Sequence, residues 1–344
     1  MIDATIAFAL DAARVDADTR ARLLPVLDRL QRELVAQLSA GNLSITERRR
    51  MNKALADARA LIAEYYDQAA GILSATTDGL APVAASAAVA ALESMLPPGM
   101  SAAGLTDAYA AALAGNAIIQ GATQADWWAR QEADTAWRFA TALRQGLAAG
   151  ETNQQIIARI VGRAGFPGVM EISRANAAAL VQTSVQTVAN DARLATFDRN
   201  LDLIMKYRWL TALDGRVCPR CAARADLTWK ADTHAAIGHS IAWANPPIHF
   251  NDRCVIIPET KTWAELGINL PEPPPGMRAS RDGPVPASTT FAQFLERKGP
   301  AFADEVLGKG RADLWRGGKI TLQDLVSGNG NPLSLAQLQA KYAG

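Results

Sequence analysis

The chain has 344 residues, 49% of them hydrophobic, and sets 35 Lys and Arg against 34 Asp and Glu for a net charge of +1. That length allows two or three domains, and that apolar content excludes a wholly disordered protein. A near-zero charge excludes global attraction to nucleic acid, so any such contact must come from a local patch.

The opening Met1-Ile2-Asp3-Ala4 lacks the basic stretch and apolar run of a secretion signal. The longest apolar stretches are Ala-rich, interrupted by polar residues, and read as too short to span a bilayer. The expectation is a soluble protein without a membrane segment, made in a reducing cytoplasm.

In chain order, residues 1 to about 200 are rich in Ala, Leu, Gln and Arg, a helix-forming mixture. Leu23, Leu24, Leu27, Leu30, Leu34, Val35 and Leu38 mark an amphipathic helix that Gly41-Asn42 ends. Ser44-Ile45-Thr46-Glu47 fits a capping box for a long second helix through Leu55, Ala58, Leu61, Ile62 and Tyr65. A third helix is expected over 80–96, stopping at Pro97-Pro98-Gly99. Beyond Gly104, Leu105, Tyr109, Leu113 and the cluster Trp127, Trp128, Trp137 and Phe139 mark helical structure that breaks at Gly146 and Gly150. Thr152 is placed to cap a short helix carrying Ile156, Ile157, Ile160 and Val161. A further helix is expected over 170–197.

Between about 204 and 258 the texture changes to short alternating runs, Ile204-Met205-Lys206-Tyr207-Arg208-Trp209 and Cys254-Val255-Ile256-Ile257, read as brief strands. All three cysteines lie here, in Cys218-Pro219-Arg220-Cys221 and His249-Phe250-Asn251-Asp252-Arg253-Cys254. Two clustered pairs, Cys218 with Cys221 and His249 with Cys254, supply the four thiol and imidazole donors of a tetrahedral zinc ion. A closed set of four leaves no position for water, so such a Zn2+ would be structural. The bland reading is three buried thiols and an unrelated histidine. Redox use of Cys-x-x-Cys fits less well, because strand and turn surround it rather than a βαβ unit.

His234 and His239 read as incidental loop histidines and as spare ligands should His249 face away. Asp214 reads either as a hydrogen-bonding neighbour that orients the first cysteines or as an ordinary turn aspartate.

Pro271, Pro273, Pro274, Pro275, Pro284 and Pro286 read as a stiff, extended linker, and residues 291–343 as short helices punctuated by glycine. Arg297, Lys298, Lys309, Arg311, Arg316 and Lys319 in that tail are candidate DNA contacts, with a solvated charged face as the default. The same alternatives hold for Arg48-Arg49-Arg50. The tryptophan cluster is expected in a core, and an exposed face there would mark a partner or self-association surface.

The expected organisation is an Ala-rich helical region over 1–103, a helical region over 104–203, a zinc-stapled module over 204–258, a linker over 259–288 and a short-helix module over 289–344. The fold class is mainly α with a small α+β zinc-binding module.

The order of the 170–197 helix, then Trp209-Leu210-Thr211-Ala212-Leu213-Asp214-Gly215-Arg216-Val217-Cys218-Pro219-Arg220-Cys221, then Pro246-Pro247-Ile248-His249 and Arg253-Cys254-Val255-Ile256-Ile257-Pro258, resembles the Mu F-like minor head, or head morphogenesis, proteins of tailed bacteriophages. In that family the second cluster usually reads His-Pro-Asn-Cys-Arg-Cys; here Phe250 and Asp252 replace the proline and the inner cysteine. The likeness extends weakly to residues 146–161 and into the tail, at Phe294-Leu295-Glu296-Arg297 and Pro332-Leu333-Ser334-Leu335. It implies a non-catalytic, low-copy virion component made in the host cytoplasm. Such a component would bind the portal protein and other capsid components in head assembly, DNA packaging or genome delivery; the long Ala-rich helices suit packing against further copies, as a homo-oligomer, or against a partner. The rival reading is an HNH-like metal-dependent nuclease using His249 and Asn251, which lacks a visible second histidine or acidic cluster.

Overall fold

The computed structural model describes residues 2–40, 48–272 and 276–342. The expected Gly41-Asn42 stop, the capping box at 44–47 and Pro273, Pro274 and Pro275 lie outside the described residues, as do the side chains of Arg48 and Arg49. Among the described residues the fold is mainly α: eleven α-helices accompany three small antiparallel sheets. The chain divides into two compact units, one of residues 1–12, 81–111 and 189–344, the other of 13–80 and 112–188.

Helix α1 (Ile2–Ala40) buries Leu23, Leu27, Leu30, Leu34 and Leu38, the stripe that its leucine spacing predicts. Helix α2 (Arg48–Glu93) joins into one 46-residue rod what the sequence divides into two. Pro82 lies inside it and removes only the one N–H that would reach back a turn, while Ala81, Ala84, Ala85 and Ala88 carry the buried stripe onward. One 18-residue window within residues 50–93 has a mean hydropathy of 1.3, so by length and composition this helix is apolar enough to cross a membrane. The expectation that no stretch reaches that length is corrected to that extent. Its burial recurs at helical spacing, as in a helix packed within a protein.

Helix α3 (Asp107–Gly115) precedes α4 (Gln124–Ala148), whose Thr123 cap and Asp126 form a reciprocal capping box. Gly146 does not break α4; it lies inside it, where a Cβ would come within 2.5 Å of Ile156. Thr152 caps α5 (Asn153–Val161) in a second capping box with Gln155. A two-residue hairpin, β1 (Gly162–Arg163) with β2 (Phe166–Pro167), leads into α6 (Val169–Asp198). In this unit Tyr66 meets Trp128 edge to face at 5.9 Å, and its hydroxyl lies 2.7 Å from Thr135, itself 2.7 Å from Ser173.

The other unit is built on a sheet of order β5-β4-β3-β6, from β3 (Ile204–Leu210), β4 (Thr228–Lys230), β5 (Ala236–Ile237) and β6 (Val255–Thr260), all antiparallel. Its pleat sends Tyr207, Trp209, Trp229 and Ile256 into one large core, while Leu210, Val255 and Ile257 form a small cluster on the opposite face. Residues 277–286 are not an extended linker: β7 (Met277–Ser280) and β8 (Gly283–Pro286) pair as a hairpin whose Val285 enters that core. Helices α8 (Phe291–Lys298), α9 (Pro300–Leu307) and α10 (Lys309–Arg316) add Phe291, Phe294, Phe302, Leu307 and Ala312 to it. The sheet is therefore backed by an apolar core rather than organised around an ion alone. Helix α7 (Pro219–Arg224), between β3 and β4, carries the first cysteines.

Candidate metal centre

Cys218 occupies the N-cap of α7 in extended geometry, Pro219 opens the helix with the φ that proline already favours, and Cys221 follows one turn on. Both sulfurs thus project from one short element. His249 comes from the loop before β6, and its Nε2 lies 3.1 Å from Sγ of Cys218 and 3.2 Å from Sγ of Cys221. Donors bound to one tetrahedral zinc would stand about 3.6 Å apart, given metal distances of about 2.3 Å to sulfur and 2.0 Å to nitrogen. The observed trio is slightly tighter than that.

The donor atoms fall into two overlapping groups, Cys218–Cys221–His249 and Cys221–Asp252–Cys254, each with all atoms within 4.8 Å of one another. Cys221 belongs to both. Three of the four expected ligands, Cys218, Cys221 and His249, thus form one group, while Cys254 meets only Cys221 of them, in the second group with Asp252. Three sulfurs, an imidazole and a carboxylate form a donor set that could hold a metal ion.

The histidine is oriented for such a role. Its Nδ1 lies 2.8 Å from the carbonyl of Phe250, which fixes a proton there and turns the Nε2 lone pair toward the sulfurs. Hydrogen bonding to Cys218 raises the His249 pKa to about 9, while hydrogen bonds from Cys221 and His249 pull the Cys218 thiol down to about 4. Hydrogen bonding to Cys218 pushes Cys221 upward, and burial pushes Cys254 up to about 12. A cation bound at this trio would have to displace the protons that the thiols hold.

Two further contacts clasp the ligand loops. Asp214 takes two hydrogen bonds from Arg253, at 2.6 and 2.9 Å, and one from the backbone of Arg216. Burial works to raise the Asp214 pKa, but the bonds from Arg253 and Arg216 prevail and hold it below its usual value. Asp214 therefore ties the first loop to the second through Arg253 rather than hydrogen-bonding the cysteines. Asp252, 1% exposed, accepts the N–H of Cys254 at one oxygen and that of Ile248 at the other, both at 2.9 Å. From sequence it counts only as a substituted cysteine. The readable signal was an aspartate two residues before the amide that it accepts, an Asx turn.

His239 and His234 fall outside both donor groups. His239 pairs Nε2 with the carbonyl of Thr228 and accepts the N–H of Ile241 at Nδ1, so both nitrogens serve the fold. The ring of His234 stacks on Trp243 at 4.3 Å.

In the tail, Lys298 pairs with Asp282, Lys309 with Asp313, and Arg316 with both Asp304 and Asp313. Arg311 donates to the carbonyl of Leu333, and Arg297 lies over the ring of Phe294. Lys319 is exposed. Most of the basic groups singled out for DNA are thus bonded locally. The tryptophans separate: Trp128 is buried, Trp127 donates its indole N–H to Ile119, and Trp137 stands 65% exposed.

Comparison with known proteins bears on part of this. Residues 137–257 match the family described as Phage Mu protein F like protein, a span that holds α5, α6, β3, β4 and every candidate ligand. The tail lies outside the match, and no curated protein or solved structure matches the chain. Over about a third of its length, then, this chain is similar to the family described as Phage Mu protein F like protein.

Proposed function

We propose that the chain is a head component of a tailed phage, acting at or near the portal vertex in assembly, packaging or genome delivery, with a structural zinc held by Cys218, Cys221, His249 and Cys254. The observation that carries this reading is the meeting of His249 with both sulfurs of the Cys-x-x-Cys inside the family-matching span. Bound zinc would supply no chemistry to a substrate; it would cross-link α7 to the loop before β6. Asp214 and Arg253 would hold the same two loops from outside, and Asp252 would shape the second. Proteins of this kind act by binding, so the portal protein and neighbouring capsid subunits are the expected partners.

The nuclease alternative is disfavoured by the same histidine. A general base needs a nitrogen facing substrate, whereas Nδ1 of His249 meets the Phe250 carbonyl and Nε2 meets two sulfurs. Two measurements test the proposal. Metal analysis of the purified protein should find one zinc per chain, lost in Cys218→Ser; absence of stoichiometric zinc would defeat the metal assignment. Co-purification with the portal protein, or imaging of assembling heads, should place the chain at the vertex, and a uniform or absent signal would defeat the placement.

A further inference from the structure

The unit of residues 13–80 and 112–188 carries a groove of about 740 Å³ between the C-terminal half of α4, helix α5 and the β1–β2 hairpin. Trp137 on α4 and Phe166 on the hairpin both line it, and each is 65% exposed. Large aromatic rings left in water on one concave surface, rimmed by polar groups, mark a surface that another molecule covers.

The local fold holds Phe166 outward. Gly168 packs so tightly on the preceding turn that a Cβ there would lie 2.2 Å from the nitrogen of Gly162, so only glycine closes this hairpin. Arg163 and Phe166 are then opposite partners across the two strands, with the guanidinium 5.0 Å from the ring centroid.

Charge gives the sign of the occupant. The groove contains Arg138, Arg159 and Arg163 against one carboxylate, Glu151. Glu151 is taken up by Arg159 in two bonds of 2.7 and 2.6 Å. Among the described residues no carboxylate pairs with Arg138 or Arg163, so two positive groups flank the exposed rings. Single-stranded nucleic acid would need open ring faces for its bases, yet Arg163 already covers one face of Phe166. The rest of the lining includes Gln145, Gln154 and Thr141, whose amides and hydroxyl match the N–H and C=O groups of a peptide.

We propose that this groove binds an extended, acidic segment of a partner protein. An apolar side chain of that segment seats against Trp137 and Phe166, and its flanking carboxylates pair with Arg138 and Arg163. The inference does not depend on the metal centre.

Random-peptide display selection on the full chain tests it, with affinities of the enriched peptides measured by fluorescence polarisation. The enriched sequences should combine Asp or Glu with an apolar residue. Their affinity should fall at least about tenfold in Trp137→Ala, and in Arg163→Glu it should fall and lose its salt dependence. Trp137→Phe should recover part of the loss. Both positions are exposed, so unchanged thermal melting will separate lost binding from lost folding. Failure to enrich, enrichment of neutral or basic peptides, or affinities indifferent to Trp137→Ala would each overturn the proposal. Groove-dependent binding of labelled oligothymidine that outcompetes the peptides would reassign the groove to single-stranded nucleic acid.

Discussion

Oδ1 of Asp252 lies 3.4 Å from the thiol of Cys221, and the same carboxylate gathers the amides of Ile248 and Cys254. A buried acid thus shapes the second ligand loop through two backbone amides. Asp252→Ala would orphan two amides, each at about 1–3 kcal/mol. The expected loss is roughly 2 kcal/mol or more, read as a lower urea midpoint by tryptophan fluorescence, with Asp252→Asn milder. An unchanged midpoint in the alanine variant would show that the loop is held by other contacts.

Removing a zinc held as proposed should loosen the ligand loops without melting the sheet. Trp209, Trp229 and Ile256 pack on Phe291 and Phe294 in one core, which supports the strands on its own. Hydrogen exchange after chelation should therefore rise over residues 214–222 and 246–254 and change little in β3. Complete loss of protection in β3 would mean that the ion carries the whole unit.

Burial pushes the Asp191 carboxyl up to about 6, against the bond donated by Asn245 at 2.7 Å. The folded state then holds this proton more tightly than the unfolded chain. Its stabilising contribution is full below about pH 4 and lost as pH rises through 6. Asp191→Asn should raise stability at pH 7 by about 1–3 kcal/mol and leave it unchanged near pH 3.5. Equal shifts at both pH values would rule out a titration effect.

Arg278, 2% exposed, donates to Asp226 at 3.2 Å and to the carbonyls of Thr289 and Thr211. Arg278→Leu would leave a largely buried carboxylate and two carbonyls without their partner, at about 3–5 kcal/mol. Thermal melting should show a large drop, and a drop of a degree or two would mean that water replaces the guanidinium there.

Much of this was legible because local signals and burial agree. The leucine spacing of α1 and the Thr152 cap each have a short-range cause that the chain states directly, whereas the Cys-x-x-Cys, read as turn, opens the short helix α7 with Cys218 at its N-cap. The unbroken α2 was not, because packing on both sides of Pro82 outweighs one missing hydrogen bond. Nor was the β7–β8 hairpin, whose prolines suggest a linker while Arg278 and Val285, both buried, tie it to the unit. Asp252 was passed over because its role depends on where Ile248 and Cys254 turn their amides.

The unequal exposure of the three thiols offers a gauge of metal content. Cys218 is half-buried, whereas Cys221 and Cys254 are buried. An alkylating reagent at neutral pH should mark the first of them selectively in emptied protein and none of them in loaded protein. Mass mapping of that single adduct would then report occupancy chain by chain, even within an assembled particle.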